Sequence, residues 1–210
     1  MFTGIVQDLG KVTQIKKSSS YLKIFISSDS LIRKIDVGDS VAINGVCQTV
    51  TDIGSNFFSV DAINETIKKT TLKKLVPNSI VNLELALTPN SRIGGHFVQG
   101  HIDYVGSIKN IIRSSADTSF FISFEKRFRK FLAPTGSVTV DGASLTTAEI
   151  FENYFKVAII PHTIKSTLFH QYRIGDEVNL EFDIIGKYVD TILLHGGEKD
   201  KSVFDIFLSQ

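Results

Sequence analysis

One cysteine, one methionine, four prolines and no tryptophan occur in the 210 residues of this chain. A lone cysteine cannot close an internal disulfide, so the fold must rest on its core, and a reducing compartment fits. An excess of one charge is also missing, since 23 basic against 22 acidic residues leave a net charge of +1. That balance gives no electrostatic case for nucleic acid or an anionic membrane surface as a partner. No apolar stretch approaches the roughly 20 residues needed to span a bilayer. The opening MFTGIVQDLG has no basic region followed by an apolar run, so no signal peptide is read there and the cytoplasm is expected. The Asn64-Glu65-Thr66 sequon is accordingly read as a chance match.

What is present is an ordinary globular balance, 42% hydrophobic and 21% charged, with sixteen phenylalanines. Short β-branched and aromatic runs recur at Leu22–Ile26, Val41–Ile43, Phe57–Val60, Ile80–Leu85, Phe120–Phe124, Val138–Val140 and Phe155–Ile160. Bounded by Gly, Asn, Asp or Ser, such runs read as strands, and an all-β sandwich or barrel is expected.

The chain repeats itself. SVAINGVCQTVTDI at 40–53 returns as SVTVDGASLTTAEI at 137–150, an offset of 97 residues. The same offset brings Thr66-Ile67-Lys68 onto Thr163-Ile164-Lys165, and Val81-Asn82-Leu83-Glu84 onto Val178-Asn179-Leu180-Glu181. Near the start of each half the offset is 96, pairing Gly4 and Gly10 with Gly100 and Gly106. Each half is therefore one fold unit. Asn44-Gly45 and Asp141-Gly142 sit between apolar runs and predict two-residue type I′ hairpins. On the strand after each turn, Cys47 and Thr49 share one face, as do Ser144 and Thr146. Each half thus presents a small nucleophile-type side chain beside a threonine.

Leu87–Gly95 reads as the linker. After the second unit, Lys187–His195 is apolar at helical spacing, and Val203–Leu208 is apolar beyond Gly196-Gly197. A helix that packs against another chain is the preferred reading. His96 and His101 lie an odd number of residues apart, and on a continuous strand they would face opposite ways. No cysteine or acidic cluster accompanies them, so no metal site is expected.

MFTGIV at 1–6, NGVCQTV at 44–50, GGHFVQGHID at 94–103 and VDGASLT at 140–146 resemble riboflavin synthase of the alpha, trimeric type. The resemblance runs from Met1 to about Val189. It implies an all-β fold of tandem six-stranded Greek-key barrels with a C-terminal helix. The implied division is a lumazine-binding barrel at 1–96, a second at 97–186, and a trimerisation helix at 187–210. The implied reaction converts two molecules of 6,7-dimethyl-8-ribityllumazine into riboflavin and a ribitylamino-pyrimidinedione, 5-amino-6-(D-ribitylamino)uracil, with no metal or redox cofactor. A homotrimer follows as the expected assembly, and a lumazine synthase shell as the partner that encloses it in some bacteria.

Carried over position by position, the ligand-binding segments of the first barrel are Gly4, Ile5 and Val6; Cys47, Gln48 and Thr49; and Asp61, Ala62, Ile63, Asn64, Glu65 and Thr66. Those of the second are Gly100, His101 and Ile102; Ser144, Leu145 and Thr146; and Ile160, Pro161, His162, Thr163, Ile164 and Lys165. Cys47, His101, Ser144, Thr146 and Asp183 match polar residues implicated in turnover, and His96 matches the other histidine of the GGH segment. The chain departs from the family pattern at Gln48, usually leucine, and at Thr135, usually a lysine associated with ligand contact across a subunit boundary. The competing readings are a fluorescent lumazine or flavin protein that binds without turnover, and a barrel for single-stranded nucleic acid. Retention of His101, Ser144, Thr146 and Asp183 favours the enzyme over the first. Near-neutral charge weighs against the second.

Overall fold

The computed structural model describes residues 1–114 and 116–195. Among these residues twelve strands form two closed antiparallel barrels. The first holds β1 (Asp8–Lys17), β2 (Tyr21–Ser27), β3 (Ser40–Ile43), β4 (Val46–Ile53), β5 (Phe58–Ile63) and β6 (Ile80–Leu85), ordered β1-β2-β5-β4-β3-β6. The short helix α1 (Asn64–Lys69) follows β5. The second holds β7 (Tyr104–Arg113), β8 (Thr118–Ser123), β9 (Ser137–Val140), β10 (Ala143–Ile150), β11 (Tyr154–Ile159) and β12 (Glu177–Phe182), in the equivalent order, with α2 (Pro161–Ser166) after β11. Helix α3 (Ile184–His195) leaves β12. It begins three residues before the expected Lys187, and the apolar run Val203–Leu208 lies outside the described residues.

Alternation fills each barrel. Val12, Ile24, Ile26, Val50, Phe58, Val60 and Leu83 close the first core, and Ile108, Phe120, Ile122, Phe155, Val157 and Leu180 the second. Closing six strands requires local bending, which β-bulges supply. They fall at matching places, Val12/Gln14 with Ile108/Asn110 and Val50/Asp52 with Thr147/Glu149.

The expected turns form, with positive φ at Asn44, Gly45, Asp141 and Gly142. They meet across the pseudo-two-fold axis so closely that a Cβ on Gly45 would lie 2.6 Å from the Gly142 nitrogen. Repeated asparagines lock them reciprocally. Asn82 Nδ2 donates to the Asp141 carbonyl at 2.8 Å, and Asn179 Nδ2 to the Asn44 carbonyl at 2.9 Å. The halves differ here in one respect. Asp141 also accepts from the Tyr172 hydroxyl, and burial pushes its carboxyl up to about 7 against the hydrogen bonds from Tyr172 and Asn179.

Candidate active site

Two chain segments leave their own barrel and lie across the other. Residues 1–7 precede β1, yet the carbonyl of Gly4 accepts from Ser144 N on β10 at 2.7 Å. The carbonyl of Gly100 accepts from Cys47 N on β4 at 2.9 Å. Val6 packs on the second core and Ile102 on the first. The two segments pair with each other where Phe2 bridges Val98. The assignment of 4–6 to the first barrel's site and 100–102 to the second's is therefore corrected in space: each segment borders the other barrel's nucleophile-type residue. Only glycine fits there. Gly4 and Gly100 have φ of +76° and +81°, and a Cβ on either would sit 2.5 Å from Cβ of Ser144 or Cys47.

A buried glutamate holds each segment down. Glu84 Oε1 accepts from Thr3 N at 2.7 Å and Thr3 Oγ1 at 2.8 Å, and Oε2 from Gly4 N at 3.0 Å. Glu181 accepts from Gln99 N at 2.6 Å, Gly100 N at 2.8 Å and His101 N at 3.1 Å. Burial raises both carboxyls, that of Glu181 to about 7, against these hydrogen bonds. Sequence reasoning assigned neither glutamate a role. The repeated Val-Asn-Leu-Glu was the available signal: Val and Leu fill the barrel, Asn faces the neighbouring barrel, Glu faces the crossing segment, and both polar residues are buried.

The stretch 94–103 is not a strand beyond its bridge at Val98, so the parity argument that set His96 and His101 apart does not apply. His96 Nδ1 lies 2.7 Å from Ser144 Oγ, and Nε2 3.3 Å from Thr139 Oγ1 on β9. With Nε2 donating to Thr139, Nδ1 accepts the serine proton. Burial lowers the His96 pKa below 6.5, partly offset by the Asp183 carboxylate, so the ring is neutral at neutral pH. Ser144 therefore meets His96 and Gly4, whereas Cys47 meets Gly100 beside an exposed His101. Asp183 caps α3, accepting from Ile185 N at 2.9 Å.

The remaining positions fall on an outer wall of each barrel. Thr49 and Thr146 are exposed, two residues along from Cys47 and Ser144 on the same strand faces. Asp61, Ala62 and Ile63 are the last residues of β5, and Asn64, Glu65 and Thr66 open α1. Ile160 precedes α2, which holds Pro161, His162, Thr163, Ile164 and Lys165. Ile63 and Ile160 are each 59% exposed, an apolar contact at equivalent places. Three of these remaining positions are buried instead, Ala62 in the first core and the strand residues Gln48 and Leu145. Gln48 is buried and donates to the Cys47 carbonyl, and Leu145 is buried opposite it in the repeat. Thr135 takes φ of +58°, a strained value for a β-branched residue. A cavity of about 410 Å³ at the barrel junction is lined by Asn44, Lys74, Asp141 and Tyr172, but by neither Cys47 nor Ser144. Among the described residues no helix is long and apolar enough to cross a membrane.

The Lumazine binding domain family matches this chain twice, at residues 3–86 and 99–183. Riboflavin synthase of Actinobacillus pleuropneumoniae is 43% identical over 194 residues, 92% of this chain and 90% of that protein. Riboflavin synthase of Bacillus subtilis is 39% identical over 212 residues, 100% of this chain and 99% of that protein. The chain belongs to the riboflavin synthase family. Solved structures share the fold at lower identity. LumP complexed with riboflavin superposes with a TM-score of 0.81 at 24% identity, covering 87% of this chain and 99% of that one. LumP complexed with 6,7-dimethyl-8-(1'-D-ribityl) lumazine gives 0.79 at 23%, with the same coverage. In the riboflavin synthase framework the His96–Ser144 contact, absent from the first half of this chain, marks the two halves as chemically different.

Proposed function

We propose that this enzyme transfers a four-carbon unit between two molecules of 6,7-dimethyl-8-ribityllumazine, giving riboflavin and 5-amino-6-(D-ribitylamino)uracil. The observation that carries the reading is a duplicated site whose two copies differ in chemistry. Two equal ligands need two similar walls, which Thr49 with Ile63 and Thr146 with Ile160 supply. One ligand donates four carbons and the other receives them, so the reacting groups must differ. Ser144 with His96 stands on one side, Cys47 with His101 on the other.

Ser144 Oγ, its proton passing to His96 Nδ1, adds to C7 of one lumazine. His101 assists removal of a proton from the C7 methyl of the other, whose ring takes up the charge. General base help of this kind contributes about 10²–10⁴ in rate. Holding the two rings face to face contributes more, since orientation removes roughly 7–11 kcal/mol of barrier in favourable cases. A homotrimer with the working pair of ligands between the first barrel of one chain and the second barrel of its neighbour completes the reading. The exposed apolar side chains of α3, Tyr188, Ile192 and Leu193 among them, support that assembly. A surrounding lumazine synthase shell is the outer partner this reading admits.

Incubation with the lumazine tests the function. Two substrates consumed per riboflavin formed is expected. A protein that keeps a bound yellow ligand without forming riboflavin is instead a binding module.

A further inference from the structure

The two glutamate clamps share two backbone donors at equivalent positions, Thr3 with Gln99 and Gly4 with Gly100, and differ in the third donor and in what surrounds them. In the first half Gln7 Oε1 accepts from Leu85 N at 3.2 Å. At the equivalent place in the second half Asp103 Oδ2 accepts from Phe182 N at 2.8 Å. A neutral amide has thus been exchanged for a carboxylate beside the second clamp. Asp103 also meets Lys187 Nζ at 2.6 Å, with both side chains about four-fifths buried at 20% and 21% exposure. Lys187 sits in the first turns of α3, and its counterpart in the first half, Asn90, lies in the linker. A pair this sheltered is less screened than the chain's surface bridges, such as Lys126 with Glu152 at 78% and 73% exposure.

We propose that Lys187 is a positioning residue: through Asp103 and the Glu181 carboxylate it holds the 99–103 segment that carries His101, so that docking of α3 and order in the site are coupled. The charged groups facing Glu181 are few. Asp103 comes from the held segment and Lys187 from α3. On β9 the residue opposite is Thr139, with the neutral His96 beyond it, and Asp183 follows two residues on. Lys187 favours the charged carboxylate and Asp103 opposes it. Glu181 accepts best from its three backbone N–H groups when ionised, because a protonated carboxyl brings a donor of its own into the cradle. Helix α3 is anchored by Lys130 with Asp190 and by Gly186 against Phe131. Displacing it withdraws the cation and leaves two buried carboxylates beside each other.

The inference rests on the lumazine-turnover reading only for its activity arm. Full-length Lys187→Met, Lys187→Arg and Asp103→Asn proteins are compared by amide hydrogen exchange and by the acid limb of lumazine turnover. In Lys187→Met, exchange at Gln99–His101 should accelerate about tenfold or more at neutral pH. Exchange at Thr3 and Gly4, held by Glu84, should stay within about twofold of wild type, an internal control in the same chain. The acid limb should move up by about half a pH unit or more. Lys187→Arg should restore both readouts. Asp103→Asn should move the limb the opposite way, which keeps the idea testable if the methionine variant does not fold. Equal acceleration in both segments, acceleration in neither, or an acid limb moved by neither substitution would overturn the coupling. Wild-type protein that fails to convert lumazine would remove the function while leaving the exchange contrast to be read.

Discussion

Replacing Gly100 with alanine places a methyl group where the second half of the chain crosses the first barrel. The new Cβ would lie 2.5 Å from Cys47 Cβ and 2.8 Å from Cys47 N, and the residue would keep φ near +81°. β4 belongs to a closed barrel and cannot retreat, so the segment must lift. The left-handed conformation costs about 1–2 kcal/mol in an L-residue. The Cys47 N to Gly100 O hydrogen bond of 2.9 Å is worth about 1 kcal/mol, and a Glu181 carboxylate left short of donors costs about 1–3 more. A loss of about 3–6 kcal/mol is the result, most of it local, because the segment can detach while both barrels stay closed. Gly38→Ala is the control: φ is +100° there, but nothing lies within 4 Å, so only the conformational cost of about 1–2 kcal/mol applies. Denaturant unfolding measures the difference, and turnover measures the site. Gly100→Ala should lose at least about a hundredfold in turnover, equivalent to about 2.7 kcal/mol of barrier, while Gly38→Ala keeps its rate. Equal stability loss in the two variants, with turnover intact in both, would refute the claim that the crossing segment builds the site.

Asp141→Asn should change how stability depends on pH. The buried carboxyl titrates at about 7 instead of 3.8, so its contribution is fully present below about pH 4 and is lost as pH rises through 7. A shift of that size is worth up to about 4 kcal/mol, and asparagine already fills the same turn position at Asn44. Melting curves should therefore show the variant gaining about 2–4 kcal/mol on wild type between pH 5 and pH 8; a parallel pH profile would exclude it. His96→Gln keeps a polar contact to Ser144 but removes the base, and turnover should fall about 10²–10⁴-fold with lumazine affinity held within about threefold. Unchanged turnover would leave His96 as a contact residue only. Thr135→Gly should relieve the φ of +58° and stabilise the protein by about 1 kcal/mol; no gain in denaturant unfolding would mean the strain is offset elsewhere.

The duplication, the hairpins and most strands were legible because period-two apolar runs and Asn-Gly or Asp-Gly turns are local signals. β1 and β7 were not read as strands. Lysines break their pattern, at Lys11, Lys16 and Lys17 in one and Lys109 in the other, and a bulge resets the alternation within each. Cys47, Ser144 and the two threonines were found from their shared strand face. His96 was noted only as the other histidine of the GGH segment, and the parity used against a metal site assumed a continuous strand, which 94–103 does not form. Glu84, Glu181, Asn82 and Asn179 were in view as a repeat, but the asparagines are buried against the other half of the chain and the glutamates against segments about eighty residues away. No local pattern reveals a contact made at a separation of about eighty residues or more, such as Thr3 with Glu84 or Asn179 with Asn44.

Ser144→Ala compared with Cys47→Ala, each assayed for bound lumazine and for riboflavin formed, tests the division of labour between the two halves most directly. Both variants should still bind two lumazines per chain, since the threonine and isoleucine walls are untouched. Ser144→Ala should lose at least about a hundredfold in turnover, because alanine leaves His96 with nothing to deprotonate. Cys47→Ala should lose distinctly less. Equal turnover in the two variants, or full turnover in Ser144→Ala, would contradict the assignment of different chemistry to the two barrels.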